Sequence, residues 1–240
     1  MCIIKDGELV EKVGPDEEVE IIVDNTPFYG ESGGQAGDVG KILGRDLTIE
    51  VIDTKKPLPE ITTHCAVIKE GEIKKGDAVE MLPDLRVRRS TSCNHTATHI
   101  LQAVLRKILG EHVRQSGSLV TAKRLRFDFN HFEKLTADQI KAIEEIVNEK
   151  ITENIQVNAL NDPKDWLSIE EAKRRYPKLK MFFGEKYGDT VRVVEIDPKF
   201  SVELCGGTHV KNTREIGLFK IISEGSVASG VRRIEAVTGD

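Results

Sequence analysis

The sequence predicts an α+β fold with a mainly antiparallel sheet. Three observations lead there. Short apolar segments punctuated by Gly, Pro and Asp fill residues 1–85, and segments with a helical apolar period follow Arg86. The two kinds then mix without the strict strand–helix–strand rhythm that a parallel sheet requires. At 240 residues the chain can bury one core or two, and the change in composition near Arg86 argues for two domains, 1–88 and 89–240.

In the first domain, Val19–Val23, Val39–Leu43, Leu47–Ile52, Thr62–Ile68 and Ala78–Leu82 read as strands of a small β-barrel or sandwich. Between the first two lies Thr26–Asp38, where Gly33, Gly34 and Gln35 stand in a glycine-crowded loop, either a tight bulged turn or a substrate-facing loop. In the second domain, Ala97, Ile100, Leu101, Val104, Leu105 and Ile108 recur at the period of a helix over Asn94–Leu109, with Asn94 as its N-cap and Gly110 as its end. Gly117–Val120 and Leu125–Phe129 follow as strands. Thr136-Ala137-Asp138-Gln139 is a capping box opening a helix to about Glu153, and Ser168-Ile169-Glu170-Glu171 opens a shorter one that Pro177 stops. Thr190–Ile196, Val202–Leu204, Gly217–Ser223 and Arg232–Val237 complete the strands.

Composition excludes several classes of function. Apolar residues make up 39% of the chain without any run near the ~20 residues of a membrane span, and the start lacks the pattern of a signal peptide, so the expectation is a cytoplasmic protein with no membrane partner. Cys2, Cys65, Cys93 and Cys205 have no disulfide-framework spacing and read as reduced thiols or metal ligands. A formal charge of −5 argues against coating nucleic acid through bulk positive charge. Any RNA contact must be local.

His95 and His99 lie four residues apart on the predicted helix, so both imidazoles project from one face. Cys205-Gly206-Gly207-Thr208-His209 follows a strand, and its glycines let the chain fold back so that a thiolate and an imidazole face one centre. His, His, Cys and His suit Zn2+. Four permanent ligands make a structural clamp, whereas a loosely bound fourth leaves room for catalysis. Thr98 and Thr208, with Thr96, are placed to orient the imidazoles or hold a water, although a helical threonine can instead bond back to the preceding turn. A zinc peptidase is poorly supported, because Thr96 stands where His-Glu-x-x-His has its glutamate.

These motifs resemble a known family. Asn94–Leu101, Glu111–Val120, Arg124–Phe129, Phe183–Asp189, Val202–His209 and Gly230–Gly239, with the Thr26–Asp38 loop, are similar in order and content to the editing part of alanyl-tRNA synthetase or its free-standing AlaX-type relative. The resemblance implies an N-terminal β-barrel followed by a zinc-bearing editing domain that hydrolyses seryl- or glycyl-tRNA(Ala). The partners it implies are the tRNA(Ala) acceptor end and, for a fragment, the remainder of the synthetase chain. The Phe183–Asp189 and Arg232–Gly239 segments favour the fragment. The resemblance also assigns Gln115 and Ser116, with Ser118 nearby, to substrate contact; without it, Gln115–Ser118 reads as a polar turn. Arg86, Arg88, Arg89, Arg124, Arg126, Arg232 and Arg233 are candidates for gripping phosphate, and the Lys173–Lys180 cluster is the weakest such candidate because a solvated helix face explains it. The rival function is a non-catalytic tRNA-binding module with a structural zinc.

Overall fold

The computed structural model describes residues 1–181 and 188–239, so most of the expected Phe183–Asp189 segment lies outside the described residues. The chain packs as two compact units, Met1–Arg88 and Arg89–Asp240.

In the first unit the strands are β1 (Cys2–Lys5), β2 (Glu8–Val10), β3 (Lys12–Val13), β4 (Glu18–Ile22), β5 (Gly40–Gly44), β6 (Leu47–Leu58), β7 (Ile61–Glu70), β8 (Ile73–Lys74) and β9 (Glu80–Pro83). A seven-stranded antiparallel ladder runs β2-β1-β4-β7-β6-β5-β9, and β3 pairs with β8. Alternation decides its faces: on β4, Val19 and Ile21 point into the core while Glu18 and Glu20 face solvent. Both central residues of the turn Ser32-Gly33-Gly34-Gln35 need positive φ, and glycine supplies it at 55° and 79°. The Ser32 and Gln35 backbones bond reciprocally at 2.9 and 3.3 Å, and Gln35 is buried. His64 is a satisfied core residue, its two ring nitrogens each 2.8 Å from an oxygen, of Ile21 and of Thr26.

Helix α1 (Leu85–Leu109) begins nine residues before Asn94. Asp84 caps it, its carboxylate accepting from the Arg86 and Val87 amides at 2.8 and 3.1 Å. Asn94 is therefore not the N-cap; it is a buried mid-helix residue whose side chain donates to Thr121 O and accepts from Thr238 Oγ1, each at 2.9 Å. The apolar period missed the first turns because they carry arginines, serines and threonines, with the polar residues from Thr91 onward buried.

In the second unit, β10 (Gln115–Val120), β11 (Leu125–Asn130), β17 (Leu218–Ala228) and β18 (Val231–Gly239) form an antiparallel sheet of order β10-β11-β18-β17. A three-stranded sheet of β12 (Val157–Ala159), β15 (Val193–Ile196) and β16 (Ser201–Leu204) has the order β12-β15-β16, and β13 (Leu167–Ser168) pairs with β14 (Thr190–Val191). The expected single strand Thr190–Ile196 is thus divided at Arg192. The core joins Ile100, Leu101, Val104 and Leu105 of α1 to Phe127, Phe129 and Phe219 of the sheet, all essentially solvent-free. Each such leucine contributes ~1.5–3 kcal/mol by burial. Helix α2 (Ala137–Thr152) locks onto β17 through Asn148, which exchanges two 2.9 Å hydrogen bonds with the Phe219 backbone. Helix α3 (Ile169–Arg175) starts at Ser168, whose hydroxyl accepts from the Glu171 amide at 3.2 Å. No helix among the described residues is long and apolar enough to cross a membrane.

Both halves of the α2 capping box are present, Gln139 N donating to Thr136 Oγ1 at 3.1 Å and Thr136 N to Gln139 Oε1 at 2.9 Å. Thr136→Ala removes one half and is expected to lower the stability of the second unit by about 1 kcal/mol, read as an earlier midpoint in urea denaturation.

Candidate metal centre

Two elements build the centre. On α1, His95 and His99 share a buried face, and their ring centroids are 5.3 Å apart. The turn after β16 brings Cys205 and His209 to the same point: Cys205 Sγ lies 3.4 Å from His95 Nε2 and 3.3 Å from His209 Nε2. One ligating atom from each of the four residues lies within 4.8 Å of all the others, an arrangement that can hold a metal ion.

Surrounding groups fix the rings. Thr96 Oγ1 donates its only proton to Ser92 O at 2.9 Å, so toward His209 Nδ1, 3.1 Å away, it can only accept. That puts the His209 proton on Nδ1 and leaves the Nε2 lone pair for the centre. His99 Nδ1 lies 2.6 Å from Oε2 of Glu203, and both residues are buried. The pair is close in distance without the alignment of a hydrogen bond, but the carboxylate still favours the proton on Nδ1 and frees His99 Nε2. Arg192, also buried, donates to the Cys205 and Gly207 carbonyls and to Leu160 O and Asn161 Oδ1, and so pins the turn that carries the thiol.

The charges follow from this packing. Burial pushes the Cys205 thiol up, but His95, His209 and His99 together bring it well below its ordinary value, so it is a thiolate. Burial also disfavours charge on His99, yet Glu203 and Cys205 outweigh it and hold that imidazole up at about 10. His209 is pushed down to about 3 by burial and by its histidine neighbours, against the pull of Cys205. Cys93 is a buried thiol raised by desolvation, with its sulfur 3.2 Å from Glu215 O.

The other predicted residues take varied places. Thr98 donates to Asn94 O at 2.8 Å, the back-bond to its own helix, whereas Thr208 accepts from Ser92 Oγ at 2.8 Å. On β10, Gln115 Nε2 donates to Ser118 Oγ at 3.2 Å and exposed Ser116 bonds Asn130 at 2.9 Å. In the first unit, Arg88 donates to Asp38 and to Pro27 O within the fold, while Arg86 is exposed. Arg89 and Arg124 are exposed, and Arg126 is part-buried beside Asp128. Arg232 is only 8% exposed and pairs with Glu224, and Arg233 makes two 2.7 Å bonds to Asp128, so both guanidinium groups are engaged inside the unit. Glu203 and Arg192 were missed as functional residues. The available signal was a lone charge at an inward position of an apolar strand, Glu203 standing two residues before Cys205 and so on the same strand face.

The family "Threonyl and Alanyl tRNA synthetase second additional domain" matches residues 191–235, and "tRNA synthetases class II (A)" matches residues 1–86. The chain is 50% identical over 238 residues to an alanine–tRNA ligase of Clostridioides difficile (strain 630), covering 99% of the chain and 26% of that protein. It is 50% identical to the enzyme of Anaeromyxobacter dehalogenans (strain 2CP-C), at 99% and 25% coverage, and 51% identical to that of Petrotoga mobilis (strain DSM 10674 / SJ95), at 99% and 26%. The chain spans about a quarter of the length of these curated relatives. From end to end the chain is similar to alanyl-tRNA synthetases, and the stretch that matches the second additional domain contains Cys205 and His209.

Proposed function

We propose that this chain hydrolyses the aminoacyl ester of mischarged tRNA(Ala), seryl- and glycyl-tRNA, in the cytoplasm, as the editing part of an alanyl-tRNA synthetase. The observation that carries this reading is the convergence of one thiolate and three imidazoles in a chain half identical, over its whole length, to alanine–tRNA ligases. We read the two compact units as its domains, 1–88 a small β-barrel and 89–240 the editing domain.

Zinc is the metal that this donor set favours. Tetrahedral zinc, with Zn–N ~2.0–2.1 Å and Zn–S ~2.3 Å, sets its ligand atoms roughly 3.3–3.7 Å apart. The two sulfur–nitrogen separations of 3.3 and 3.4 Å fit that frame, as do the imidazole lone pairs that Thr96 and Glu203 direct inward. When bound, zinc supplies Lewis acidity toward the ester carbonyl or a water, or an anchor for the substrate. The chain's own residues supply selectivity. A pocket sized for alanine cannot exclude glycine and rejects serine weakly, so a correcting site must reward the serine hydroxyl with hydrogen bonds. Gln115, already bonded to Ser118, offers an amide for that contact, with Ser116 beside it. Exposed Arg86 and Arg89, with Arg124 beside Glu235, are placed to meet the phosphates of the acceptor end.

A second reading has an observation of its own. Four protein donors suffice to close a tetrahedral site, which suits a structural zinc in a non-catalytic tRNA-binding module. Release of serine from seryl-tRNA(Ala), measured with and without a chelator, separates the two; an unchanged charged fraction in both arms would sink the hydrolase.

Purified protein should carry one zinc per chain, and Cys205→Ala should slow deacylation at least ~10-fold while preserving most of the far-ultraviolet dichroism. Glu203→Gln keeps the side chain's shape but removes its charge, and is expected to weaken zinc binding ~10–100-fold in competition with a chelating dye. Gln115→Ala should shift the ratio of seryl- to alanyl-tRNA hydrolysis by roughly 5–150-fold, the equivalent of ~1–3 kcal/mol for one buried hydrogen bond. An unshifted ratio would place discrimination elsewhere.

A further inference from the structure

A cleft of about 440 Å³ opens within the second unit with Glu203 in its lining. Arg106 and Lys107, from the last turn of α1, form one wall. Lys178 and Lys180 come from the segment after α3, and Lys199 from the turn before β16. The Lys178–Lys180 segment is tied to the sheet rather than loose, since Lys180 N donates to Val202 O at 2.8 Å and Leu204 N to Lys180 O at 3.1 Å. Five cations from three separate segments therefore surround one cavity.

The two acids in the lining, Glu111 and Glu203, are outnumbered by these cations. Glu111 at the rim pairs with Arg106, and Glu203 at the base is committed to His99. Among the described residues, no ion pair is formed by Lys107, Lys178, Lys180 or Lys199. Ammonium groups gathered in this way repel one another and create a positive potential that an anion relieves. Ala103, Phe200 and Val202 add an apolar wall, which an inorganic ion would not use but a sugar or base would. We infer that this cleft binds the phosphodiester backbone of an RNA strand, seating a nucleotide of the tRNA beside Glu203, the residue that also faces His99. The inference rests on the tRNA reading given above and adds to it a site that the sequence ranked last, because the lysines of the α3 segment meet α1 and the β16 turn only in the fold.

The test compares the full chain with two double variants, Lys107→Gln/Lys199→Gln and Lys178→Gln/Lys180→Gln, by filter binding of tRNA across a salt series, with zinc content and dichroism checked in each. Each pair of lost contacts should reduce the steepness of log K against log [salt] by about 1.4, at ~0.7 per phosphate of a single strand, and weaken binding about tenfold at moderate salt. If the unmodified chain does not retain tRNA, the tRNA reading fails and the cleft with it. If the unmodified chain binds but both variants keep its slope, the cleft is overturned and the tRNA reading stands. If the variants lose binding of adenosine monophosphate or inorganic phosphate while keeping the tRNA slope, the cleft takes small anions and the strand assignment is overturned.

Discussion

The middle of α1 is a helix buried on every side yet written largely in polar residues. Thr91, Ser92, Asn94, His95, Thr96, Thr98, His99 and Gln102 are all 6% exposed or less. Burying such groups costs free energy unless each finds a partner, and a helix backbone offers their side chains little beyond the preceding turn. The partners must come from elsewhere in the unit. Thr121 and Thr238 bond Asn94, Thr208 bonds Ser92, Glu203 faces His99, and Cys205 with His209 closes on His95. The polar stripe of one helix thereby dictates where β16 and its following turn must lie.

The same constraint explains why the centre is well positioned. Donor groups borne on a helix and a strand end are more rigidly held than ones on loops, and His209 and His99 are each faced by a fixed neighbour, Thr96 and Glu203. Thr96 spends its proton on Ser92 and so can only receive from His209; Arg192 holds the carbonyls on either side of the Cys205–Gly207 turn. Collecting these groups in a low-dielectric pocket also sets their charges. A thiolate is stable there because three imidazoles surround it, and Glu203 and that thiolate, both facing His99, raise the basicity of its ring.

Charge is partitioned with similar economy across the second unit. The chain is acidic overall, yet cations gather locally where acids are already committed. Arg232 and Arg233 sit beside Glu224 and Asp128 on the sheet and serve as internal partners, a role that arginine's fork suits well. Lys107, Lys178, Lys180 and Lys199 around the cleft that Glu203 lines form no ion pair among the described residues, so their charge remains available to a ligand.

The sequence by itself determined the elements whose signals are local. The capping box of α2, the alternation of β4 and the apolar period of α1 from Ala97 onward depend on neighbours three or four residues away, and each is where those patterns put it. The four residues that gather at the candidate centre were also legible, since His95 with His99 and Cys205 with His209 are short motifs, and the fold brings them together in an arrangement that can hold a metal ion. What tertiary structure alone decided is everything that depends on residues far apart in the chain. Helix α1 starts at Leu85 because its first turns meet conditions that periodicity cannot register, and Asn94 is a buried bridge to Thr238, 144 residues away, rather than a cap. The role of Glu203, the engagement of Arg232 and the gathering of Lys107, Lys178 and Lys199 into one cleft follow from long-range packing, in which the energy of a charge is set by what surrounds it rather than by what precedes it.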